Sequence, residues 1–324
     1  MKHIYKKLLV LLCTMGLFVQ MAGCGTNSNA EKGATNTETV TSTPTATTQT
    51  NVETTYPVTV KCSDGTEVTI KQEPKKVISV APNITELMYQ LGASDKLVGR
   101  TDYCDYPSEA ASVPSIGTLR TPDIEKIISL QPDLVVASTH FDEANAKKLT
   151  DAGIPVLVLY EEHNVDGVYT LIDTLGTAIN RSEKAKSTDE EMKKEIGSVE
   201  DALKDVEPVS VYYVVGFGEG GDYTAGGDTF IGTMLTMAGG KNIAQDVKGW
   251  NYSLESLLEK DPKVIIVENG QKDAFMKTKQ YATLTAVKEG NVYEIDRNLL
   301  NRQGYRNAEG VKQLAKILHP DKVK

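Results

Sequence analysis

Residues 123–138 have the sequence DIEKIISLQPDLVVAS, and residues 253–267 have the sequence SLESLLEKDPKVIIV. Each stretch combines apolar residues at helical spacing, then a proline, then an aliphatic run typical of a buried strand. The second stretch follows the first at a constant offset of 130 residues. The residues that recur in the same frame include Glu125 and Glu255, and Pro132 and Pro262. Self-similarity at a fixed period indicates a repeat, so we predict that one α/β lobe occurs twice in this chain.

Each copy predicts one helix and one buried strand. The apolar helix faces comprise Ile124, Ile127 and Ile128 in the first copy and Leu254, Leu257 and Leu258 in the second. The strands are predicted over 134–137 and 264–267. We expect Thr121 to cap the first helix with Pro122 at its first position, and Ser253 to cap the second.

A hairpin and another strand–helix unit precede the first copy. Residues 57–61 and 67–71 alternate around Asp64-Gly65, a dipeptide suited to positive φ, which predicts a β-hairpin. A strand is predicted over 76–80 and a helix over 84–91, ended by Gly92 in the left-handed conformation. Asn83 and Glu86 have the spacing of a capping box at the start of that helix.

Alternating strands and helices predict mostly parallel sheets that are covered on both faces. Residues 181–205 are rich in Glu, Lys and Ala and lack Pro, which predicts one long, largely solvated helix with Gly197 as its weak point. We therefore predict an α/β protein with two similar lobes and a single long rigid helix joining them. The expected segments are an N-terminal lobe over 56–164, a connecting helical segment over 165–207 and a C-terminal lobe over 208–324.

The N-terminus carries targeting signals. Three lysines precede an apolar run over 8–19, which is too short to span a hydrocarbon core of about 30 Å. The sequence Met21-Ala22-Gly23-Cys24 then has the pattern of a bacterial lipobox, with small residues before a cysteine. We predict a signal peptide over 1–23, lipid attachment at Cys24 and an extracytoplasmic protein anchored to the cell membrane.

Composition separates a tether from the folded body and excludes some partners. Residues 26–55 contain 12 threonines and no apolar periodicity, so we predict a flexible tether over 24–55. The full chain of 324 residues has a formal net charge of −9, which becomes −12 once the three signal-peptide lysines are removed. An acidic balance argues against a nucleic-acid binder and fits docking onto basic loops of a membrane partner.

Two cysteines remain in the folded body after Cys13 and Cys24 are assigned to the signal peptide and the lipid. Cys62 and Cys104 would lie in a compartment that permits disulfides. The sequence is compatible with a bridge between them or with two free thiols, because it does not give their Cα separation. Neither these cysteines nor the four histidines have metal-ligand spacing, so we expect no protein metal site and no cofactor.

Five segments in a fixed order resemble one family. They are KKVISVAPNITELMYQLGASDKLVG (75–99), TDYCDYP (101–107), DIEKIISLQPDLVVAS (123–138), MAGGKN (237–242) and RQGYRNAEGVKQLAKILHP (302–320). Together, over about residues 56–320, they resemble the ABC-importer substrate-binding proteins for cobalamin, haem and iron-siderophores. The resemblance implies two Rossmann-like lobes on one connecting helix with a ligand cleft between them. It also implies a permease dimer with a cytoplasmic ATPase as partner, and no catalysis. A monomer is expected.

Ligands of open α/β sheets bind beyond the carboxyl ends of the strands, so the loops there supply the candidate contacts. The candidates are Pro82, Asn83, Tyr103, Tyr106, Arg120, His140, Phe141, Phe217, Trp250, Arg297 and Arg302. Aromatic rings suit a large flat ligand, and arginines suit its phosphate or carboxylate groups. Structural alternatives are turn packing for Tyr106, the core for Trp250, plain solvent exposure for His140 and a structural role for Arg306.

Ligand choice depends on charge. These loops lack the dense set of arginines and lysines that a trianionic ferric siderophore requires. The TDYCDYP segment also resembles cobalamin-binding members of the family. The expected ligand is therefore a cobalamin-type corrinoid, which carries its own cobalt, with an iron-siderophore or haem as the alternative.

The resemblance further implies permease docking through a glutamate on the first helix of each lobe. Glu86 matches the position in the N-terminal lobe, where a side chain near the helix start is expected to be exposed. Thr233 stands at the corresponding place in the C-terminal lobe, which puts symmetric docking in doubt. Glu219 and Asp228 are the candidates to replace the missing glutamate.

Other function classes receive little support from the sequence. Residues 216–221, GFGEGG, match GxGxxG, but loop residues follow where a dinucleotide site needs a helix N-terminus. We expect these glycines to be cleft backbone. The chain contains no GxSxG, HExxH or P-loop motif, which disfavours an exported α/β enzyme.

Overall fold

The computed structural model describes residues 53–161 and 163–324, so the predicted signal peptide, Cys24 and nearly all of the tether lie outside the described residues. The strands are β1 (Val58–Lys61), β2 (Glu67–Ile70), β3 (Val77–Ser79), β4 (Leu97–Arg100), β5 (Leu134–Ala137), β6 (Val156–Val158), β7 (Val209–Tyr213), β8 (Asp222–Tyr223), β9 (Gly240–Asn242), β10 (Asn251–Tyr252), β11 (Val264–Glu268) and β12 (Val292–Ile295). The helices are α1 (Pro82–Gln90), α2 (Ile124–Ser129), α3 (Glu143–Asp151), α4 (Val165–Ala178), α5 (Ser182–Leu203), α6 (Phe230–Met237), α7 (Leu254–Lys260), α8 (Lys272–Lys277), α9 (Thr285–Glu289), α10 (Asn298–Asn301) and α11 (Asn307–Leu318).

Two four-stranded parallel sheets have the same topology. The first has the order β4-β3-β5-β6 and the second the order β9-β7-β11-β12. In each sheet the second strand in sequence lies on one side of the first, and the third and fourth strands lie on the other. The predicted α/β fold with two similar lobes is therefore confirmed. The predicted hairpin is also present as β1 and β2, with Gly65 at a φ of 89° between them.

The repeat that predicted the two lobes persists in backbone detail. Helix α2 and strand β5 correspond to helix α7 and strand β11. Asp123 caps α2 and Ser253 caps α7, each by accepting from the amide three residues on. Gln131 and Asp261, also 130 residues apart, both have positive φ, at 50° and 38°. The expected cap at Thr121 is wrong, because Asp123 stands closer to the first helical amides and its carboxylate reaches Lys126 N.

The outer apolar positions of the repeat are not buried. Ile127 and Leu257 are fully buried, whereas Ile128 is 39 % exposed and Leu258 is 37 % exposed. The prediction that all three apolar residues of each helix face the core is therefore wrong for the last position. Adjacent residues of a helix are separated by 100° of rotation, so with Ile127 and Leu257 facing the core the next residue of each helix points partly to solvent.

The long connecting helix is confirmed as α5, and it continues through Gly197 without a break. The expectation that it is largely solvated is only half correct, because α5 buries a face against α4 and α11. The buried residues are Ala185, Thr188, Asp189, Met192, Ile196, Val199 and Leu203. Within the described ranges no helix is both long and apolar enough to cross a membrane.

Cys62 and Cys104 are buried free thiols, so the disulfide between them does not form. Cys62 lies beside β6, where its sulfur accepts from Val158 N at 3.4 Å. Cys104 follows β4, and its amide donates to Thr101 O. Because β4 and β6 are the two edges of the sheet, three strand spacings of about 4.8 Å separate them, which far exceeds the reach of a disulfide.

Candidate ligand-binding site

The loops beyond the carboxyl ends of the two sheets meet through Arg302. This C-terminal-lobe side chain places Nη1 2.7 Å from Glu86 Oε1 in α1 and 2.7 Å from Asp105 Oδ1 in the loop after β4. Its Nη2 donates to Tyr103 O at 3.4 Å. The predicted cleft residues Tyr103 and Arg302 are thus brought together. Arg302 is not free for a ligand anion, however, which corrects its predicted role.

Glu86 lies at the centre of this contact and is only 3 % exposed. Arg306 adds a second guanidinium, with Nη1 3.4 Å from both Glu86 oxygens. Burial raises the pKa of Glu86 above its ordinary value, while hydrogen bonds and charges from Arg302 and Arg306 act in the opposite direction. A buried, paired carboxylate is not available at the surface, so the predicted docking role of Glu86 does not fit the structure.

The capping box at Asn83 and Glu86 is also wrong. Ala81 is the N-cap of α1, Pro82 occupies the first helical position, and no side chain caps the helix. Asn83 is buried and its amide donates to Gln303 O at 3.2 Å, which joins the two lobes instead. The spacing matched a cap, but the C-terminal lobe supplies stronger partners for both side chains.

Aromatic side chains of the N-terminal lobe remain accessible around these ion pairs. Tyr103 is 57 % exposed and Tyr106 is 42 % exposed. The guanidinium carbon of Arg306 lies over the Tyr106 ring, 4.0 Å from its centroid, in a cation–π contact. Burial raises the pKa of Asp105, but the hydrogen bond and the positive charge of Arg302 lower it. The pKa of this carboxyl is therefore below its ordinary value.

The C-terminal lobe presents a second aromatic surface on the two-stranded ribbon of β8 and β10. Trp250 is 44 % exposed immediately before β10, so its alternative place in the core is excluded. Tyr223 in β8 pairs with Asn251 in β10 and is 38 % exposed. A Cβ atom at Gly216 would lie 3.2 Å from the Tyr223 ring, so the absence of a side chain at Gly216 lets this ring pack close to the backbone.

Behind the ribbon, the glycine-rich loop packs on an aromatic core. Phe217 makes edge contacts with Phe275 and Tyr281, at centroid distances of 5.2 and 6.2 Å. A cavity of about 320 Å³ lies at the carboxyl ends of β7 and β11 and is lined by Val214, Val215, Gly216, Phe217, Val267, Glu268 and Gln271. No helix begins at this loop, since β8 follows it, which agrees with the prediction against a dinucleotide site.

Four of the predicted ligand-binding residues do not belong to either aromatic surface. Arg120 and His140 are exposed, and His140 Nδ1 lies 2.7 Å from Thr139 Oγ1. Phe141 packs against the core of the N-terminal lobe. Arg297 is paired with Glu268 of its own lobe at 3.1 Å. Their assignment to a ligand remains a prediction.

Sequence reasoning missed Tyr223, Asp105 and the pairing of both arginines with Glu86. Tyr223 follows the glycine-rich loop directly, so an aromatic residue beside small residues near a strand end was an available signal. The pairing had no local signal, because Glu86 and Arg302 are 216 residues apart in sequence.

Two lobes of one topology, in contact through Arg302 and each with exposed aromatic side chains, have the architecture of a two-lobed binding protein. The chain belongs to the periplasmic binding protein family, whose family model matches residues 77–299. This is a family of binding proteins, so the enzyme alternative is set aside.

Individual relatives agree with that assignment. The chain is 34 % identical, over 94 % of its length and 95 % of the relative, to the uncharacterized ABC transporter substrate-binding lipoprotein YvrC of Bacillus subtilis. It is 30 % identical, over 82 % and 74 %, to a cobalamin-binding protein of Halobacterium salinarum.

Solved structures share the fold. The periplasmic vitamin B12 binding protein BtuF of Vibrio cholerae is similar with a TM-score of 0.66 and 25 % identity, over 76 % of this chain and 96 % of that one. The periplasmic heme-binding protein RhuT of Roseiflexus is similar with a TM-score of 0.70 and 23 % identity, over 76 % and 98 %. One architecture therefore occurs in proteins named for different metal chelates.

Proposed function

We propose that this protein captures a cobalamin-type corrinoid between its lobes and delivers it, chemically unchanged, to the permease of an ABC importer. The observation that carries the proposal is that the exposed side chains of Tyr103 and Tyr106 lie beside arginines whose charges are already neutralised by carboxylates. A large ligand with a flat ring and neutral amide groups fits this surface, because aromatic faces supply apolar contact and polar edges supply orientation.

The charges of these loops favour a ligand with no net negative charge over a polyanion. Three arginines (Arg297, Arg302 and Arg306) make ion pairs with four carboxylates (Glu86, Asp105, Glu268 and Asp296). The group therefore carries a formal charge of −1. Binding of an anion by these arginines would require existing pairs to break, and a buried carboxylate that loses its partner is strongly unfavourable.

Each relative supports a different part of the proposal. The name of YvrC supports the role of substrate-binding lipoprotein in an ABC transporter, and the name of the Halobacterium relative supports cobalamin. Haem or an iron-siderophore is the second candidate ligand, because a heme-binding protein shares the fold. Haem carries two propionates, so its binding would require positively charged arginines, and the arginines here are already paired with carboxylates of the protein.

Calorimetry on the mature protein separates these ligands. We expect cyanocobalamin to bind, to quench the emission of Trp250 and to be recovered with unchanged mass. Trp250→Ala should weaken binding by about 30-fold, as expected for an aromatic side chain that the ligand covers. The control is Tyr293→Ala, at an exposed tyrosine of β12, which should have no effect on binding. Binding of haem or a ferric siderophore in place of cyanocobalamin would overturn the ligand proposal and leave the transport role intact.

Delivery requires a surface that a permease recognises, and the repeat provides one in each lobe. Glu125 in α2 and Glu255 in α7 are both exposed in the first helical turn. Each lies one turn before an exposed aliphatic side chain, Ile128 or Leu258. We call these two pairs the docking patches. Two equivalent patches suit a permease built from two like subunits with basic loops, and they replace Glu86 in that role.

The membrane anchor remains part of the proposal. Cys24 lies outside the described residues, and the lipoprotein name of YvrC supports its lipidation and an extracytoplasmic location. Mass spectrometry of the mature N-terminus tests this directly, with an acylated Cys24 as the expected first residue. An unmodified N-terminus or a cleavage site elsewhere would contradict it.

A further inference from the structure

We propose that Arg302 and Arg306 are positioning residues: they belong to the C-terminal lobe but hold the aromatic wall of the N-terminal lobe in place for the ligand. By the aromatic wall we mean residues 103–106. The inference rests on the function proposed above because it concerns the same cleft. In this proposal the two arginines have a structural role and do not contact an anionic ligand.

Arg302 ties the wall to helix α1. Its guanidinium contacts Glu86 of α1, Asp105 of the wall and the carbonyl of Tyr103, at 2.7, 2.7 and 3.4 Å. A guanidinium is planar and its N–H groups have fixed directions, so three partners on one group are fixed relative to one another. The Arg302 side chain is only 12 % exposed, which leaves little room for it to leave these partners.

Arg306 supports the ring of Tyr106 from behind. Its guanidinium carbon lies 4.0 Å from the ring centroid, while Nη1 and Nη2 lie 3.4 Å from Glu86 and Asp296. The two carboxylates hold the guanidinium plane, and that plane supports one face of the ring. Because Tyr106 is still 42 % exposed, the rest of its surface is open to a ligand.

The arginines themselves are held rigidly by the start of α11. The buried side chain of Asn307 accepts from Gly304 N at 2.7 Å and donates to Leu299 O and Arg302 O, at 2.9 and 3.2 Å. Gln303 O accepts from Asn83 of the N-terminal lobe. Each lobe therefore depends on the other for the shape of the shared cleft, which preorganises the site before ligand arrives.

Hydrogen exchange of the free, full mature protein tests this without any ligand. The amides of Asp102 and Cys104 donate to Gly117 O and Thr101 O, so they report on the wall. Lysine keeps the charge of arginine but not its planar set of donors, so Arg302→Lys and Arg306→Lys should fold. We expect the 101–107 peptide to exchange about 10-fold faster in the double variant, and the 123–138 peptide to be unchanged.

Arg297→Lys is the matched control. Among the residues that the structure describes, Arg297 makes its one ion pair with Glu268 of its own lobe, so the variant should leave 101–107 unchanged. Unchanged protection of 101–107 in the double variant would overturn the inference. An equal change in every peptide would also overturn it, because that result indicates general destabilisation.

A double-mutant cycle with cyanocobalamin tests how Arg306 acts. If Arg306 works through Tyr106, Arg306→Lys should weaken binding about 5-fold in the natural sequence and have no effect in a Tyr106→Ala background. Equal losses in both backgrounds would mean that Arg306 contacts the ligand itself. If the unmodified protein does not bind cyanocobalamin, the proposed ligand fails, and the exchange experiment still decides the role of the arginines.

Discussion

Tyr281 donates its hydroxyl hydrogen to Asp222 Oδ1 across 2.6 Å inside the C-terminal lobe. The phenol is fully buried, and its ring is stacked on Phe275 with a centroid distance of 4.4 Å. Its oxygen also accepts from Gly218 N at 2.9 Å. One side chain thus fixes the glycine-rich loop and the strand that carries Tyr223 to the same aromatic core.

Tyr281→Phe should therefore affect both stability and ligand binding. The stacking would remain, but Asp222 would lose a buried partner, which costs about 1–3 kcal/mol of unfolding free energy. We also expect weaker cyanocobalamin binding, because the ribbon with Tyr223 and Trp250 would no longer be fixed. Urea unfolding and calorimetry measure the two effects, with Tyr293→Phe as an exposed control. Lower stability with unchanged affinity would show that Tyr281 does not position the ribbon.

The docking patches predict a separation of binding from transport. Glu125→Lys and Glu255→Lys reverse charges in the exposed first turns of α2 and α7. We expect each to leave cyanocobalamin affinity unchanged and to reduce uptake by the reconstituted importer, most strongly when combined, because basic permease loops would be repelled. Glu143→Lys, an exposed first-turn residue of α3, is the control. Normal uptake by the double variant would exclude the patches as the docking surface.

Movement of one lobe relative to the other should be small because α5 and the residue before it make hydrogen bonds to both lobes. Arg181 Nε donates to Gly92 O of the N-terminal lobe at 3.2 Å, just before α5 begins. Lys312 of α11 donates to Glu195 of α5 at 3.0 Å. We expect structures of the free and ligand-bound protein to differ by a few degrees of lobe rotation, unlike hinge-type closure. A rotation of tens of degrees would contradict this.

The fold was predictable because its signals are local and repeated. The proline after each repeat helix, the aliphatic strands and the fixed offset all describe short segments, and the structure keeps them in both lobes. Capping was less predictable, since Thr121 and Asp123 compete for the same helix start and only backbone geometry decides between them.

The site was less predictable because its decisive contacts are between lobes. Trp250, Tyr103 and Tyr106 were predicted from residue type and position after strands, and all three are exposed, while their contact with a ligand stays a prediction. The role of Glu86 was missed, because its spacing to Asn83 suggests a local cap while its real partners are Arg302 and Arg306 near the C-terminus. Long-range ion pairs leave no pattern in a single sequence.

A buried carboxylate on α5 predicts an unusual pH dependence of stability. Asp189 is 4 % exposed, and its Oδ1 has no hydrogen-bond partner among the described residues. Burial, with the negative charge of Asp173 in α4 added, raises the pKa of Asp189 to about 7, although Lys193 on its own helix lowers it. The folded protein therefore holds this proton more tightly than the unfolded chain does.

The direction of the effect follows from that difference. The carboxyl titrates near 3.8 when unperturbed and near 7 in the folded protein. Its stabilising contribution is complete below about pH 4, declines as the pH rises towards 7 and is constant above that. Roughly three pH units at about 1.4 kcal/mol each set an upper limit of about 4 kcal/mol.

Asp189→Asn keeps the shape of the side chain and removes the charge, so it should abolish this dependence. We expect the variant and the natural protein to have similar unfolding free energies in urea at pH 4, and the variant to be more stable at pH 8. Asp173→Asn removes only one cause of the raised pKa, so the decline should still begin near pH 4 but end at a lower pH and be smaller. An advantage of Asp189→Asn that is equal at pH 4 and pH 8 would mean that the carboxyl is ionised throughout, with water or Lys193 compensating its charge.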